Sequence, residues 1–412
     1  MAHTLLNIDM IANESLAILE NQLVFTKQVN REYDSEFGKK GGKIGDTYNL
    51  RLPTRVTPGT TPTFNPSNLV EVAVPVVINK QYNSGATFTS QQLALNIDMF
   101  GERVLAPHIA AIANKIDYDG MQLYKDIYQC VGTPGTTPAT NLTYLQGGVK
   151  LDNAAAPNDG RRKVVINPIA QATIVNANLT LFNPSANISD QYKNGNIGQA
   201  MGYAWSMGQN VGVQTIGTFA AAASGAGTAV TVNGAISSGT SSVVTAGWTS
   251  GDLLNQGDIV TFAGVYDVNP QNRQSTGQLK QFVLTATPTA ATGGGAMTIA
   301  ISPTPQFSGD FQNVTSATGT IATSAVVTVY GASATVTPQN LLFHPDAFTF
   351  VTADLDMPQA GAESYTVRSK KLNMGIRVCR FFDGYNDRSN WRFDILGGWK
   401  TIRPELACRI AG

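Results

Sequence analysis

Three histidines, His3, His108 and His344, are the first residues to test for chemistry, because imidazole serves both as general base and as metal ligand. No H-E-x-x-H or other paired-ligand spacing surrounds any of them. The three cysteines, Cys130, Cys379 and Cys408, are odd in number and lack a C-x-x-C spacing, so neither a zinc site nor a disulfide framework is indicated. A reducing compartment fits that usage. Gly38, Gly41, Gly42 and Gly45 imitate a phosphate loop, but no Gly-Lys-Ser/Thr follows. The next residues read as strand where a phosphate site needs a helix N-terminus, so this is a turn. No G-x-S-x-G elbow occurs, and the close pairs Asp117 with Asp119 and Asp354 with Asp356 have ordinary loop or helix-face explanations. Matches to the glycan acceptor pattern at Asn13, Asn141, Asn178, Asn187 and Asn313 arise by chance in a chain rich in Asn and Thr. The expectation is no enzyme, no cofactor and no metal.

With chemistry set aside, composition points to association. The chain has 412 residues, enough for two or more folding units. Lys plus Arg number 28, Asp plus Glu number 28, and charged residues make up 14%. Soluble proteins carry about 25%. A sparsely charged surface of zero net charge favours contact with other surfaces over water. It also argues against a protein that seeks out nucleic acid, since phosphate binding draws on clustered cations. Arg161-Arg162-Lys163 is the one dense basic run, and it leads into the apolar Val164-Val165-Ile166, which reads as a solvated strand start. Residues 1–30 are amphipathic with internal acids and lack the order of a signal peptide. No run of about 18 apolar residues is present to span a membrane.

Along the chain, Ile11, Leu16, Leu19, Leu23 and Val24 recur at helical spacing and predict a helix over residues 8–29 with one apolar stripe and no partner nearby in sequence. Residues 47–52 and 69–78 read as two strands, joined by the Pro-, Gly- and Thr-rich connector of residues 57–68. Such a two-stranded arm is marginal alone in water, so a neighbouring subunit is the expected support. Ile109, Ile112, Ile116, Leu123 and Ile127 predict a long helix to about Gln129, started or kinked by Pro107. A strand over residues 164–167, a helix over 168–181 and long Gly/Asn-rich loops predict an α+β domain. Residues 219–339 change character: only Asp252, Asp258, Asp267, Arg273, Lys280 and Asp310 are charged, and six short β-branched runs predict a small inserted barrel or sandwich. The chain closes on two strands flanking a polar turn at residues 383–390.

Four segments carry a resemblance. They are Gly257-Asp258-Ile259-Val260-Thr261-Phe262-Ala263-Gly264-Val265 followed by Asn269-Pro270-Gln271-Asn272-Arg273-Gln274, residues 195–205, Phe343-His344-Pro345-Asp346-Ala347-Phe348, and the ending from Arg403-Pro404-Glu405-Leu406 to Gly412. With the order of elements, they make the chain similar to the coat proteins of P22-like tailed phages, which carry an HK97-like capsid fold with an inserted β-barrel domain. The resemblance implies an N-terminal arm helix over residues 1–32, an E-loop hairpin over 33–92 and the spine helix of a peripheral domain over 93–130. It implies an axial domain over 131–217 and 339–362, an inserted six-stranded β-barrel over 218–338, and C-terminal strands of the peripheral domain over 363–412.

It further implies a homo-oligomer of pentamers and hexamers closing an icosahedral shell, with a scaffolding protein, a portal and non-specifically contacted double-stranded DNA as partners and no membrane. The location implied is the virion, assembled in the bacterial host cytoplasm. Contacts between subunits are expected at the E-loop tip, from Pro58, Thr63, Phe64 and Asn65, and at the insert's loop over residues 265–279, with Asp267, Arg273 and Lys280 as its charged candidates. The same three residues also read as solvated loop charges, since an exposed ion pair contributes only about 0–1 kcal/mol. Two other classes fit parts of the sequence: a surface or tail-fibre adhesin, prompted by residues 219–339, and an encapsulin-like compartment shell.

Overall fold

The computed structural model describes residues 8–33, 47–55, 62, 71–89, 104–178, 197–220, 229–291, 295–358, 361–369 and 371–412. The chain first lays down α1 (Ile8–Gln22), β1 (Asn30–Tyr33), β2 (Thr47–Arg51), β3 (Ala73–Val77), β4 (Lys80–Thr89) and α2 (Ala106–Met121). After a 3-10 turn at Gln122–Asp126 come β5 (Cys130–Gly132), α3 (Asn141–Asn153), β6 (Lys163–Ile166), α4 (Pro168–Asn178), β7 (Gln199–Ala200), β8 (Tyr203–Met207) and β9 (Val213–Thr215). The charge-poor region supplies β10 (Thr231–Val232), β11 (Ser242–Ala246), β12 (Ile259–Val268), β13 (Ser275–Leu284), β14 (Met297–Ser302), β15 (Val314–Thr315) and β16 (Val327–Val329). Last come β17 (Val336–Phe343), β18 (Phe348–Ala353), β19 (Ala362–Ser369), β20 (Met374–Asp383), β21 (Arg388–Thr401) and β22 (Ala407–Ala411). Two compact units result, one drawn from Met1–Leu52, Ala73–Met121 and Phe348–Ile402, the other from Pro53–Val72, Gln122–Ala347 and Arg403–Gly412.

The first unit is built on a sheet of order β1-β18-β21-β20-β19, with β4 on the other side of β21. The fourteen-residue β21 is its axis: it pairs antiparallel with β20 and then β18 on one side, and with all ten residues of β4 on the other. The predicted arm strands form as β2 and β3, antiparallel from Thr47 opposite Val77 to Arg51 opposite Ala73. The stripe of α1 is covered within its own unit, by partners far along the chain and not nearby in sequence. Ile11, Leu19 and Leu23 are buried with Ile109, Ile112 and Ile116 of α2 and with Met374, Ile376 and Phe393 of the sheet. Each such aliphatic side chain contributes roughly 1.5–3 kcal/mol on burial, so α1 is anchored to its own unit.

Two helix ends differ from the pattern. The first helix stops at Gln22 and not near Val29, because the Asp117 carboxylate captures the next backbone donors. Its oxygens accept from the N–H groups of Val24, Phe25 and Thr26 at 2.6, 3.2 and 3.0 Å and from the Thr26 hydroxyl. That turn drives Phe25 onto Trp399 and Phe348, each with its ring centre 5.6 Å away. Gly120 on α2 is required there, since a Cβ would stand 2.7 Å from the Trp399 ring and 2.9 Å from Phe25. The second helix is α-helical from Ala106 to Met121 and tightens into the 3-10 turn, short of the expected Gln129. Pro107 sits in its first turn, where no N–H is required. Residues 97–103 of the expected helix lie outside the described residues.

The second unit holds a sheet of order β5-β22-β17-β6-β8-β7, with β9 also on β17. The C-terminal strand β22 is inserted between β5 and β17, with every residue buried. The ending therefore does not join the sheet of β18–β21, as the resemblance implied for residues 363–412. Its sequence, Ala407-Cys408-Arg409-Ile410-Ala411, is a short run suited to burial on both faces. The chain passes between units at Ala347/Phe348.

All six runs predicted for the insert form strand. The ladder runs β10-β11-β14-β13-β12, and β16 pairs with β12. A bridge from Thr231 to Val326, with Val232 N–H donating to Ala325 and Val327 N–H to Val230, brings β16 back to β10. Inside lie Val232, Val243, Phe262, Phe282, Ile299 and Val327, with the Phe262 and Phe282 rings 5.4 Å apart. Residues 265–279, read as a loop, are mostly ladder instead: β12 and β13 extend into a hairpin whose turn is only residues 269–274. Register shifts on either side of Tyr266 break the alternation that would have disclosed it.

Candidate functional site

The arm tip candidates Pro58, Thr63, Phe64 and Asn65 lie outside the described residues. At the base of that connector, Arg55 is held on its own unit. Its Nη2 lies 3.1 Å from Glu405 Oε1, which Arg403 Nε also meets at 3.1 Å, and its guanidinium stands 6.0 Å over the Phe311 ring.

The hairpin candidates behave in two ways. Lys280 and Asp267 are paired inside the unit, Nζ to Oδ1 at 2.7 Å, with Lys280 only 4% exposed. The ammonium also lies 4.6 Å over the Tyr128 ring, and burial pushes the Tyr128 hydroxyl far above its ordinary range. Lys280 is therefore no solvated loop charge. Arg273, at φ 57°, occupies the left-handed position that closes the turn and reaches Asp310 at 3.4 Å. Asn269 shapes the turn by accepting from the N–H groups of Gln271 and Asn272. What the hairpin exposes is Tyr266 and Leu279, directly opposite each other and each 39% exposed, with polar Gln271, Asn272 and Gln274 at the tip. That apolar pair is absent from the charged set because an unread strand register hides which side chains share a face.

Lys280→Ala is expected to lower stability by about 2–3 kcal/mol, because it strands a half-buried carboxylate. Thermal unfolding of the full chain reads the loss, and the apolar double replacement Asp267→Leu/Lys280→Met should recover most of it. An unchanged midpoint for Lys280→Ala would show that the pair contributes nothing.

Buried polar groups anchor the module's root. The Gln281 amide brackets the Cys130 peptide, accepting from its N–H at 2.9 Å and donating to its carbonyl at 3.0 Å. Asp258 accepts from the N–H of Gly217 at 2.9 Å, of Asn255 at 2.8 Å and from Gln214 Nε2 at 2.9 Å, tying the entry strand to the insert. Burial raises its carboxyl despite those donors. Arg409, 1% exposed, donates to the Gly257 carbonyl at 2.8 Å. The usable sequence signal was Asp258 itself, an isolated acid in a region almost free of charge.

His3 lies outside the described residues. His344 is buried between Asp159 at 3.3 Å and Asp346 at 3.4 Å. His108 Nδ1 lies 2.7 Å from Ser84 Oγ, and no carboxylate completes that pair among the described residues. All three cysteines are buried, with burial pushing the Cys130 thiol up to about 11 and the Cys408 thiol further. Arg162 of the basic run is buried and bonded to Asp152 at 2.6 Å, so the run does lead into a strand at Lys163 but Arg162 is not the solvated charge read from the sequence. Among the described residues no group of His, Cys, Asp and Glu could hold a metal ion, and no helix is long and apolar enough to cross a membrane.

The described chain is strand-rich and mixed α+β. A family model described as "P22 coat protein - gene protein 5" matches residues 1–412, and the chain belongs to that family. It is a major capsid protein: its copies form the shell, and it resides in the virion. No curated protein matches. Among solved structures, that of Mycobacterium phage Che8 aligns at 12% identity over 94% of this chain and 91% of that one, with a TM-score of 0.47. The capsid of Ralstonia phage GP4 aligns at 8% identity over 95% and 90%, also at 0.47, and the capsid of cyanophage P-SCSP1u at 10% identity over 94% and 87%, at 0.44.

Proposed function

We propose that the chain assembles as pentamers and hexamers into an icosahedral shell around double-stranded DNA, in the HK97-like manner, with no catalytic role. The observation that carries this reading is the coat-protein family match along the whole chain. In this reading the arm of β2 and β3 is the E-loop, α2 the spine helix, the sheet of β18–β21 the peripheral domain and the sheet around β17 and β22 the axial domain. The insert is a six-stranded barrel, a reading supported by the hydrogen bonds that return β16 to β10. A scaffolding protein and a portal are the proposed assembly partners, and the bacterial host cytoplasm the place of assembly.

Association is supported by apolar side chains left in water. On α3, Leu142, Leu145 and Val149 lie at i, i+3 and i+7 and are 62%, 43% and 49% exposed. Exposed apolar faces of this kind mark surfaces meant for other protein. The hairpin adds Tyr266 and Leu279. Weak heterologous contacts of this sort close rings or extend lattices according to the rotation between copies. Sedimentation velocity of the purified chain, alone and with its scaffolding protein, tests the reading. Capsomer-sized and much faster-sedimenting species are expected; a single monomer boundary under both conditions would contradict it.

A further inference from the structure

The fold gathers a cationic cluster that no stretch of sequence displays. Lys27, in the turn after α1, and Arg31, on β1, meet Lys371, in the turn between β19 and β20. The Arg31 guanidinium is oriented by an Nη2 bond to the Lys371 carbonyl at 3.4 Å, and the Asn373 amide donates to the Arg31 carbonyl at 3.3 Å, fastening the two segments together. Among the described residues two acids face the cluster. Glu20 stands 3.9 Å from Lys371 Nζ but is engaged by the Ser369 hydroxyl, and Asp117 is buried with its oxygens filled by the four donors described above. Among the described residues three cations therefore outnumber the acids that face them.

The donors are also underused. Arg31 Nη1 is buried without an acceptor, and Lys27 has no ion-pair partner among the described residues. Burial and the neighbouring Lys371 lower the Lys27 ammonium, and burial lowers the Arg31 guanidinium against the opposing effect of Glu20. In a chain of zero net charge and sparse charge, a convergent surplus with an unpaired guanidinium nitrogen calls for an anion with several oxygens.

We infer that Lys27, Arg31 and Lys371 form a binding site for phosphate groups of nucleic acid, one of the places where the shell touches packaged DNA. The site deepens the proposed function and rests on its reading that the shell holds DNA. Contact is to the backbone and independent of sequence, because charge and oxygen acceptors are all the cluster reads.

The test uses the full chain and a fluorescein-labelled 20-base-pair duplex, read by anisotropy between 50 and 200 mM NaCl. Each phosphate contact steepens the fall of log K with log salt by about 0.9. The triple variant Lys27→Gln/Arg31→Gln/Lys371→Gln is expected to flatten that slope by about 2–3 and to weaken binding at least tenfold at 50 mM. The double variant Lys27→Gln/Lys371→Gln touches only exposed ammonium groups, so its smaller flattening, of about 1–2, keeps the test valid if loss of Arg31 disturbs folding. An unchanged slope in the double variant, or no duplex binding by the unsubstituted chain, overturns the site. So does cluster-dependent binding of poly-glutamate without binding of the duplex, which would assign the cluster to an acidic peptide. Electron microscopy of the same preparations separates the two claims: shells that form but bind no duplex through these residues would leave the coat assignment standing.

Discussion

Asp117→Ala is expected to lower the thermal midpoint of the full chain on the order of 10 °C, from a loss of about 3–5 kcal/mol. The carboxylate is 3% exposed and accepts from three consecutive backbone N–H groups and the Thr26 hydroxyl. Alanine leaves three buried donors with nothing to bind, and each costs about 1–3 kcal/mol when desolvated without a partner. The turn also sets Phe25 against Trp399, so the indole should report the loss as a red-shifted, more solvated emission. Asp117→Asn keeps one acceptor and sets an NH2 against donors, and should recover only part of the deficit. A midpoint within about 2 °C of the unsubstituted chain would mean that the turn is held by its apolar contacts alone.

Replacing residues 57–68 with a short Gly-Ser turn is expected to abolish shells while leaving the thermal midpoint near that of the intact chain. Arg51 pairs with Ala73 across the arm and Arg55 is fastened to Glu405, so the described part of the arm has internal support up to the connector. In the proposed assembly the connector, with Pro58, Thr63, Phe64 and Asn65, supplies contacts only to a neighbour. Its loss should remove inter-subunit affinity at every equivalent position at once, and negative-stain microscopy should show capsomers or monomers where the intact chain gives particles. Normal shells from the shortened chain would remove the arm tip from the interface.

Much of this architecture is legible in the sequence because periodic apolar patterns survive into the core. Ile109, Ile112 and Ile116 mark α2, and the runs around Val243, Phe262, Phe282, Ile299 and Val327 mark the insert's strands, since each alternates or repeats against a single buried face. What was not legible depends on partners far along the chain. Lys80–Thr89 is polar and contains Asn83 and Gly85, yet it becomes ten residues of strand because β21 offers it a continuous ladder. The end of α1 at Gln22 is set by an acid some ninety residues away. The hairpin of β12 and β13 read as loop because its bulges interrupt the alternation, and Lys280 read as a surface charge because its partners Asp267 and Tyr128 meet it only in the fold.

The assembly residues follow the same logic. Exposed Leu142, Leu145 and Val149 were indistinguishable in sequence from core positions of the same helix, such as Tyr144 and Leu151, until the sheet showed which face it covers. The cationic cluster of Lys27, Arg31 and Lys371 joins segments more than three hundred residues apart, whereas the one basic run visible in sequence supplies Arg162 to a buried ion pair.

The most direct test of the central claim is negative-stain electron microscopy of the purified chain, alone and co-expressed with the proposed scaffolding protein. A shell subunit predicts uniform round particles of several tens of nanometres, at least in the co-expressed sample. Only monomers or irregular aggregates in the presence of a verified scaffold would contradict the account.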